Sequence, residues 1–447
     1  GEYRKYTAQQ SSDLLAKTPG ELGGAGGAAP DIDGAYDVYE AYAEIVAPLI
    51  EDKSISPVEL TAAMLGRIER INPDLHAYVH VDAAGALRAA ELAQARILAG
   101  DYLGPLHGVP LGIKDIFDTA TMVTACGSTQ LRGRMPEHDA HVVDRLDAAG
   151  AVMLGKQATA EFAFIGYPPQ VAPAPVNPWA ADRTPGMSSG GSAVAVAASL
   201  CFGAFGSDTG GSIRFPSAVN GIVGLKPTFG RISRRGVHPF ATTLDHVGPF
   251  ARSVTDVGLL YQAVAGHDNG DPFSAAAEIG DPLATISGTV RGLRLGIDVR
   301  YFETYAEPEI VQATLAAVTR LEEAGMVVVP VDLLKIPEVC HHWLGVAGSE
   351  ALQAYGRERF RQNIGLFGRN VRELMTVGDQ TTVDDLLRAA AARRRTNTLL
   401  DVAFEQADYL LLPGIGSRVP PLAMLAVEPE VPAEAVAAAI AFSAPFN

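Results

Sequence analysis

The chain has 447 residues, 48% hydrophobic and 19% charged, with a formal net charge of −16. That is enough for a large core, in two or three domains or in one large α/β unit, and the acidic balance argues against a nucleic-acid surface, which needs clustered basic residues. The three cysteines, Cys126, Cys201 and Cys340, form no C-x-x-C pair, so neither a disulfide framework nor a zinc knuckle is expected and a reducing, cytoplasmic compartment fits.

Residues 1–34 are polar, then glycine-rich, and read as an extension and linker ahead of one domain over 35–447. No basic stretch followed by an apolar core marks a signal peptide, although a chain beginning at Gly1 is compatible with a removed presequence. The pattern from Tyr36 to Leu98 is helical, with Ser56-Pro57-Val58-Glu59 as a capping box and Pro57 at the first helical position. At Pro105 the character changes: Val109, Leu111 and Ile113 alternate between Gly108 and Pro110, which predicts a short buried strand ending near Lys114. Asp139–Ala149 reads as an amphipathic helix and Ala151–Leu154 as a strand. After Asp256 come a helix, a polar stretch, and a β-α-β unit over 292–299, 307–324 and 326–333. Residues 346–405 read as helical, and Tyr409–Leu412 as a buried strand. Strand and helix alternating in this way predict an α/β fold, one mixed central sheet covered by helices on both faces. The longest apolar run, Ala193–Gly206, is too short to span a bilayer.

The stretch from Gly186 to Pro227 holds two glycine-serine loops, Gly186–Ser192 and Gly206–Ser212, around a run of Ala and Val. A flexible linker would not carry that apolar run, whereas glycines let backbone N–H groups approach a ligand closely. Several shorter matches compete. Gly150-x-x-x-x-Gly155-Lys156 lacks the Ser/Thr of a phosphate loop, because Gln157 stands there, and it reads as a strand end. Gly186-x-Ser188-x-Gly190 matches a nucleophile elbow and would need Asp245, His246, His341 or His342 as partners. Asp208-Thr209-Gly210 has no second copy to share a proton with. His341-His342 and Arg393–Arg395 read as helix-surface residues, without the clustering that metal or nucleic acid requires. Lys114 differs from these. At the end of a buried strand it either snorkels, or pairs with Asp115, or loses its proton and serves as the base that a serine nucleophile requires.

The motifs G-V-P-L-G-I-Lys114-D, Asn177-P-W, P-G-M-Ser188-Ser189-G-G-Ser192 and G-S-Asp208-T-G-G-Ser212-I-Arg214-F-P, followed by G-L-K-P-T, resemble the amidase signature family. The similarity is close over Ile55 to Asp256 and weaker in the β-α-β unit and Tyr409–Asn447. The resemblance implies a catalytic core over 101–260 and a triad of Lys114 as base, Ser188 as bridge after a cis peptide bond, and Ser212 as nucleophile. It implies an oxyanion hole from the N–H groups of Thr209, Gly210, Gly211 and Ser212. An Asp208–Arg214 ion pair would support the loop, with Ser189 hydrogen-bonding near Lys114. No metal or organic cofactor is expected; the substrate is a small-molecule amide, with ureides, carbamates and esters accessible to the same triad. The segment from Gly230 through Pro249 resembles small-ureide and biuret-type hydrolases. No nucleic-acid or membrane partner is expected, and a homodimer, common in the family, is compatible with the resemblance.

Two features depart from the family pattern. Met187 stands where Gly is common, and the chain stops at S-A-P-F-Asn447 where relatives continue, so the C-terminal end is expected to be incomplete. Two other readings stay open. One is the glutaminase-type subunit of an amidotransferase, working with partner subunits on tRNA, a branch that usually has Gln where Phe215 stands. The other is a non-catalytic amidase-like binding protein.

Overall fold

A computed structural model describes residues 46–168, 170–286, 288–422 and 437–447. The extension and linker expected over 1–34 lie outside the described residues. Ser56 starts the helix Pro57–Leu75: its hydroxyl accepts the Glu59 N–H at 3.2 Å, and Pro57 sits in the first turn, where a missing N–H costs nothing. The chain then departs from the all-helical expectation, because strand β1, Tyr78–Val81, precedes the helix Ala83–Leu98. Only Tyr78 of that strand is buried, so the segment carries no alternation to read, and its pairing with β3 creates it.

β2 (Pro110–Lys114) is buried at every position, as are β4 (Gly203–Asp208) and β6 (His246–Ala251). With β3 (Val152–Gln157) and the two-residue β5 (Val223–Gly224) they form a six-stranded sheet in the order β1-β3-β2-β4-β6-β5. β2 runs parallel to both its neighbours, and the remaining pairs are antiparallel. The helix Gly190–Ala197 carries only Gly, Ser, Ala and Val, is wholly buried, and packs on β2, β3, β4 and β6. Small side chains there let the helix approach the sheet closely. That sets the two glycine-serine loops beside the end of β2.

The predicted β-α-β unit is present as β7 (Arg294–Ile297), the helix Pro308–Glu323 and β8 (Val327–Pro330), with a further helix Val299–Tyr305. These strands do not join the central sheet. With β9 (Tyr409–Leu410) they form a separate parallel sheet in the order β8-β7-β9, so the expectation of one sheet is corrected to two among the described residues. Each sheet packs its own apolar cluster, and Tyr301, Phe302 and Leu333 belong to the smaller one. The helices Trp343–Tyr355 and Arg369–Gln380 return to the main core. No described helix is long and apolar enough to cross a membrane.

Candidate active site

Lys114 ends β2 in the deepest part of the sheet and is fully buried. A lysine ammonium offers three donors. Three hydroxyls receive them: Ser188 Oγ at 2.9 Å, Ser189 Oγ at 3.0 Å and Ser207 Oγ at 2.9 Å. Among the described residues no carboxylate lies within salt-bridge distance of it. Burial therefore drives the Lys114 amine down to about 7, against the opposing pull of Asp245 and Asp208. Asp115 pairs with Lys156 instead, at 3.3 Å. Successive residues leaving a strand point to opposite faces, which separates Lys114 from its sequence neighbour. Lys156 lies within β3, as the missing hydroxyl of its phosphate-loop match predicts.

The loop before the helix Gly190–Ala197 is held from several sides. Asn177 Nδ2 donates to Thr184 O at 3.2 Å and to Val219 O at 2.9 Å, and Asn220 Nδ2 donates to Pro185 O at 2.8 Å. Tyr167 Oη donates to Met187 O at 3.1 Å, and the Ala160 N–H to Ser188 O at 3.2 Å. Ser189 ties this loop to β4, donating to Ser207 O at 3.1 Å and accepting from the Ser207 N–H at 3.3 Å. No peptide bond among the described residues is cis, so the cis bond implied before Ser188 is corrected to trans. Trans is the lower-energy form for a non-proline residue, and from it the Ser188 hydroxyl already reaches Lys114.

The second loop folds around Asp208. Its carboxylate accepts the N–H groups of Gly211 (2.8 Å), Ile213 (3.1 Å) and Arg214 (3.3 Å). It also accepts Arg214 Nη2 at 2.7 Å and Asn447 Nδ2 at 2.9 Å. Burial alone would raise this carboxyl, but Arg214 and these donors hold it well below the usual range. Arg214 reaches on to Ser443 O at 2.7 Å and Asn447 Oδ1 at 2.6 Å, so the last described residues lock the loop from behind. Glycine is required here for two reasons. Gly211 has φ +132°, and a Cβ on Gly210 would lie 2.9 Å from the Trp343 indole. That indole donates to Thr209 O at 3.0 Å, and Ser443 Oγ donates to Gly210 O at 2.6 Å.

The carbonyls of Thr209 and Gly210 are thus turned toward Trp343 and Ser443. Of the four N–H groups expected to face an oxyanion, Gly211's is spent on Asp208. Those of Thr209, Gly210 and Ser212 carry no hydrogen bond among the described residues. Ser212 is buried, and its hydroxyl has no partner among them either, so the structure joins Ser188 to Lys114 but not to Ser212. The nucleophile-elbow partners do not assemble. Asp245 takes Thr209 Oγ1 at 2.5 Å, and His246 Nδ1 donates to Leu244 O at 2.7 Å. The sequence assigns no site role to Ser207, Trp343, Ser443 or Asn447. Ser207 stands inside the G-S-D-T-G-G-S motif and could have been suspected, whereas Trp343 and Asn447 lie more than a hundred residues away from the loop they brace.

Arg214→Ala leaves Asp208 buried without its cation and is expected to cost about 3–5 kcal/mol of stability in urea unfolding. The carboxyl is lower in the folded than in the unfolded chain. Its contribution is therefore complete above the unfolded carboxylate value near 4, and the gap between wild type and variant narrows as pH falls below it.

The family model described as Amidase matches residues 59–447. The amidase-named protein AmiD of Mycobacterium tuberculosis (strain ATCC 25618 / H37Rv) is 38% identical over 406 residues, covering 90% of this chain and 84% of its own. A glutamyl-tRNA(Gln) amidotransferase subunit from Moorella thermoacetica is 36% identical over 404 residues, covering 84% and 82%. A solved structure from a vestigial protein complex that reveals the evolutionary origins of an s-triazine catabolic enzyme superposes with a TM-score of 0.80 at 31% identity, covering 85% of this chain and 82% of the other.

Proposed function

Because this chain belongs to the amidase family and is a hydrolase of carbon–nitrogen bonds, we propose that it cleaves small-molecule amides through an acyl-enzyme on Ser212. The observation that carries this reading is a fully buried amine, Lys114, that meets three serine hydroxyls and, among the described residues, no carboxylate within salt-bridge distance. Ser212 Oγ attacks the acyl carbon, and its proton passes through Ser188 Oγ to the neutral Lys114 Nζ. The N–H groups of Thr209, Gly210 and Ser212 receive the developing oxyanion. The C–N bond then breaks, the proton returns through Ser188 to the leaving nitrogen, and water, deprotonated by the same relay, releases the acid and frees Ser212. The Ser188–Ser212 hydrogen bond has to form when substrate binds, a tightening common between apo and Michaelis states.

Asp208, Arg214 and Ser189 act by holding the loops, within a catalytic domain over 35–447 in a cytoplasmic homodimer. Gly210→Ala pushes a methyl into Trp343 and is expected to lower kcat about 10²-fold or more with little change in KM, read by steady-state kinetics. A screen of anilides, ureides, carbamates and esters with the purified chain tests the reading; turnover without partners is expected. The resemblance of the Gly230–Pro249 segment to small-ureide hydrolases makes ureides the first class to try. The match to an amidotransferase component favours a second reading, in which the chain releases ammonia from glutamine only when partner subunits are present. Glutamine hydrolysis that appears only on adding such subunits, with all simple amides refused, would establish it.

A further inference from the structure

Asp245 is a partly buried carboxylate on a cavity wall that the proton relay leaves unused. It lies at the entry to β6, and its oxygens accept Thr209 Oγ1 at 2.5 Å, the Phe240 N–H at 2.9 Å and the Ala241 N–H at 3.0 and 3.1 Å. Among the described residues no cation comes within salt-bridge distance of it. Arg234 Nη1 donates to the Asp245 carbonyl at 3.1 Å, and Arg234 Nε lies 3.9 Å from Asp271. Lys114 is the mirror case, a buried amine with hydroxyl partners only. Asp208, the other anion acting on it, is already engaged by Arg214.

Burying either charge alone is costly, and opposite charges held a short way apart offset that cost. Two structural links join the pair. Ser207, which accepts from Lys114, lines the same cavity of about 200 Å³ as Asp245. Thr209, two residues further along that strand and loop, is the residue Asp245 holds.

We propose that Asp245 is a positioning residue for amide hydrolysis, fixing Thr209 in the oxyanion loop and supplying the negative charge that balances Lys114. The proposal rests on Lys114 being the base. Burial pushes the Asp245 carboxyl up to about 6, although hydrogen bonds from Thr209, Ala241 and Phe240 oppose it. Asp245 opposes the fall of Lys114 more strongly than Asp208 does. The other groups facing the pair do not compete for this role. Cys126 is held as a neutral thiol by burial, His246 is driven down to about 4 by burial and Lys226, and Arg234 is directed at backbone carbonyls and Asp271.

The test is the pH dependence of kcat/KM and of fluorophosphonate labelling in wild type, Asp245→Asn, Thr209→Val and Lys114→Met. Removing an anion disfavours the ammonium form, so the acid limb of Asp245→Asn is expected to move about one pH unit lower, with kcat reduced at least about tenfold. Thr209→Val keeps the charge and loses the tether: kcat falls and the limb stays where it is. A limb that vanishes in Lys114→Met but is unmoved in a folded Asp245→Asn overturns this proposal alone. A limb that persists in Lys114→Met overturns the base assignment, and this proposal with it. Should Asp245→Asn not fold, Thr209→Val decides, because an unchanged kcat there removes the tether from the mechanism.

Discussion

Ser212→Ala is expected to abolish covalent labelling by a fluorophosphonate and to lower kcat/KM on the order of 10⁴-fold or more, because the acyl-enzyme route then has no nucleophile. The same change should leave the melting temperature nearly unmoved. The Ser212 hydroxyl has no partner among the described residues, so nothing is orphaned when it is removed. Ser188→Ala is the informative contrast. It deletes the bridge to Lys114 and leaves Ser212 in place, so labelling slows but still maps to Ser212. Intact mass with peptide mapping of the adduct reads both variants. Labelling of Ser212→Ala at the wild-type rate would move the nucleophile to Ser188 and restore the elbow reading.

Lys114→Met should reduce kcat by about 10²–10⁴-fold, the usual contribution of a general base. It should also flatten the pH profile. In wild type, kcat/KM is expected to rise with pH and level off above about 7, as the buried amine loses its proton. The sign of the accompanying stability effect follows from linkage. Lys114 is lower in the folded chain than in the unfolded one, where the ordinary lysine value is near 10.4. Between those values the unfolded chain binds the extra proton, so this group makes wild-type stability rise with pH across that window. The variant has no such group, and its urea midpoint should climb less between pH 7 and 10. An unchanged profile in both measurements removes the lysine from the mechanism.

Much of this site is legible in the order of the amino acids. The strand ending at Lys114 follows from the alternation of Val109, Leu111 and Ile113, and the loops of Ser188 and Ser212 from glycine and serine flanking a run of Ala and Val. The β-α-β unit is visible from its apolar strands and the helical period between them. Each of these signals is local: a repeat of two or of 3.6, or a turn residue at a fixed offset. Strand β1 is invisible for the same reason, since four residues with one buried side chain carry no period.

What the tertiary structure decided is which distant groups meet. Lys114 could have paired with Asp115 on sequence alone; the sheet sends Asp115 to Lys156 and brings three hydroxyls, the nearest of them 74 residues on, around the amine. The β-α-β strands could have extended the central sheet; they pair with β9 instead, because their apolar faces close a cluster of their own. Trp343, Ser443 and Asn447 brace the oxyanion loop across 134 to 239 residues of chain, and Asp245 reaches Thr209 across 36. The sequence by itself determined the chemistry available, a lysine and serines on glycine-bearing loops. Packing decided the charge state of that lysine and the direction of the loop amides, because burial and hydrogen-bond partners are properties of the folded neighbourhood and not of the residue.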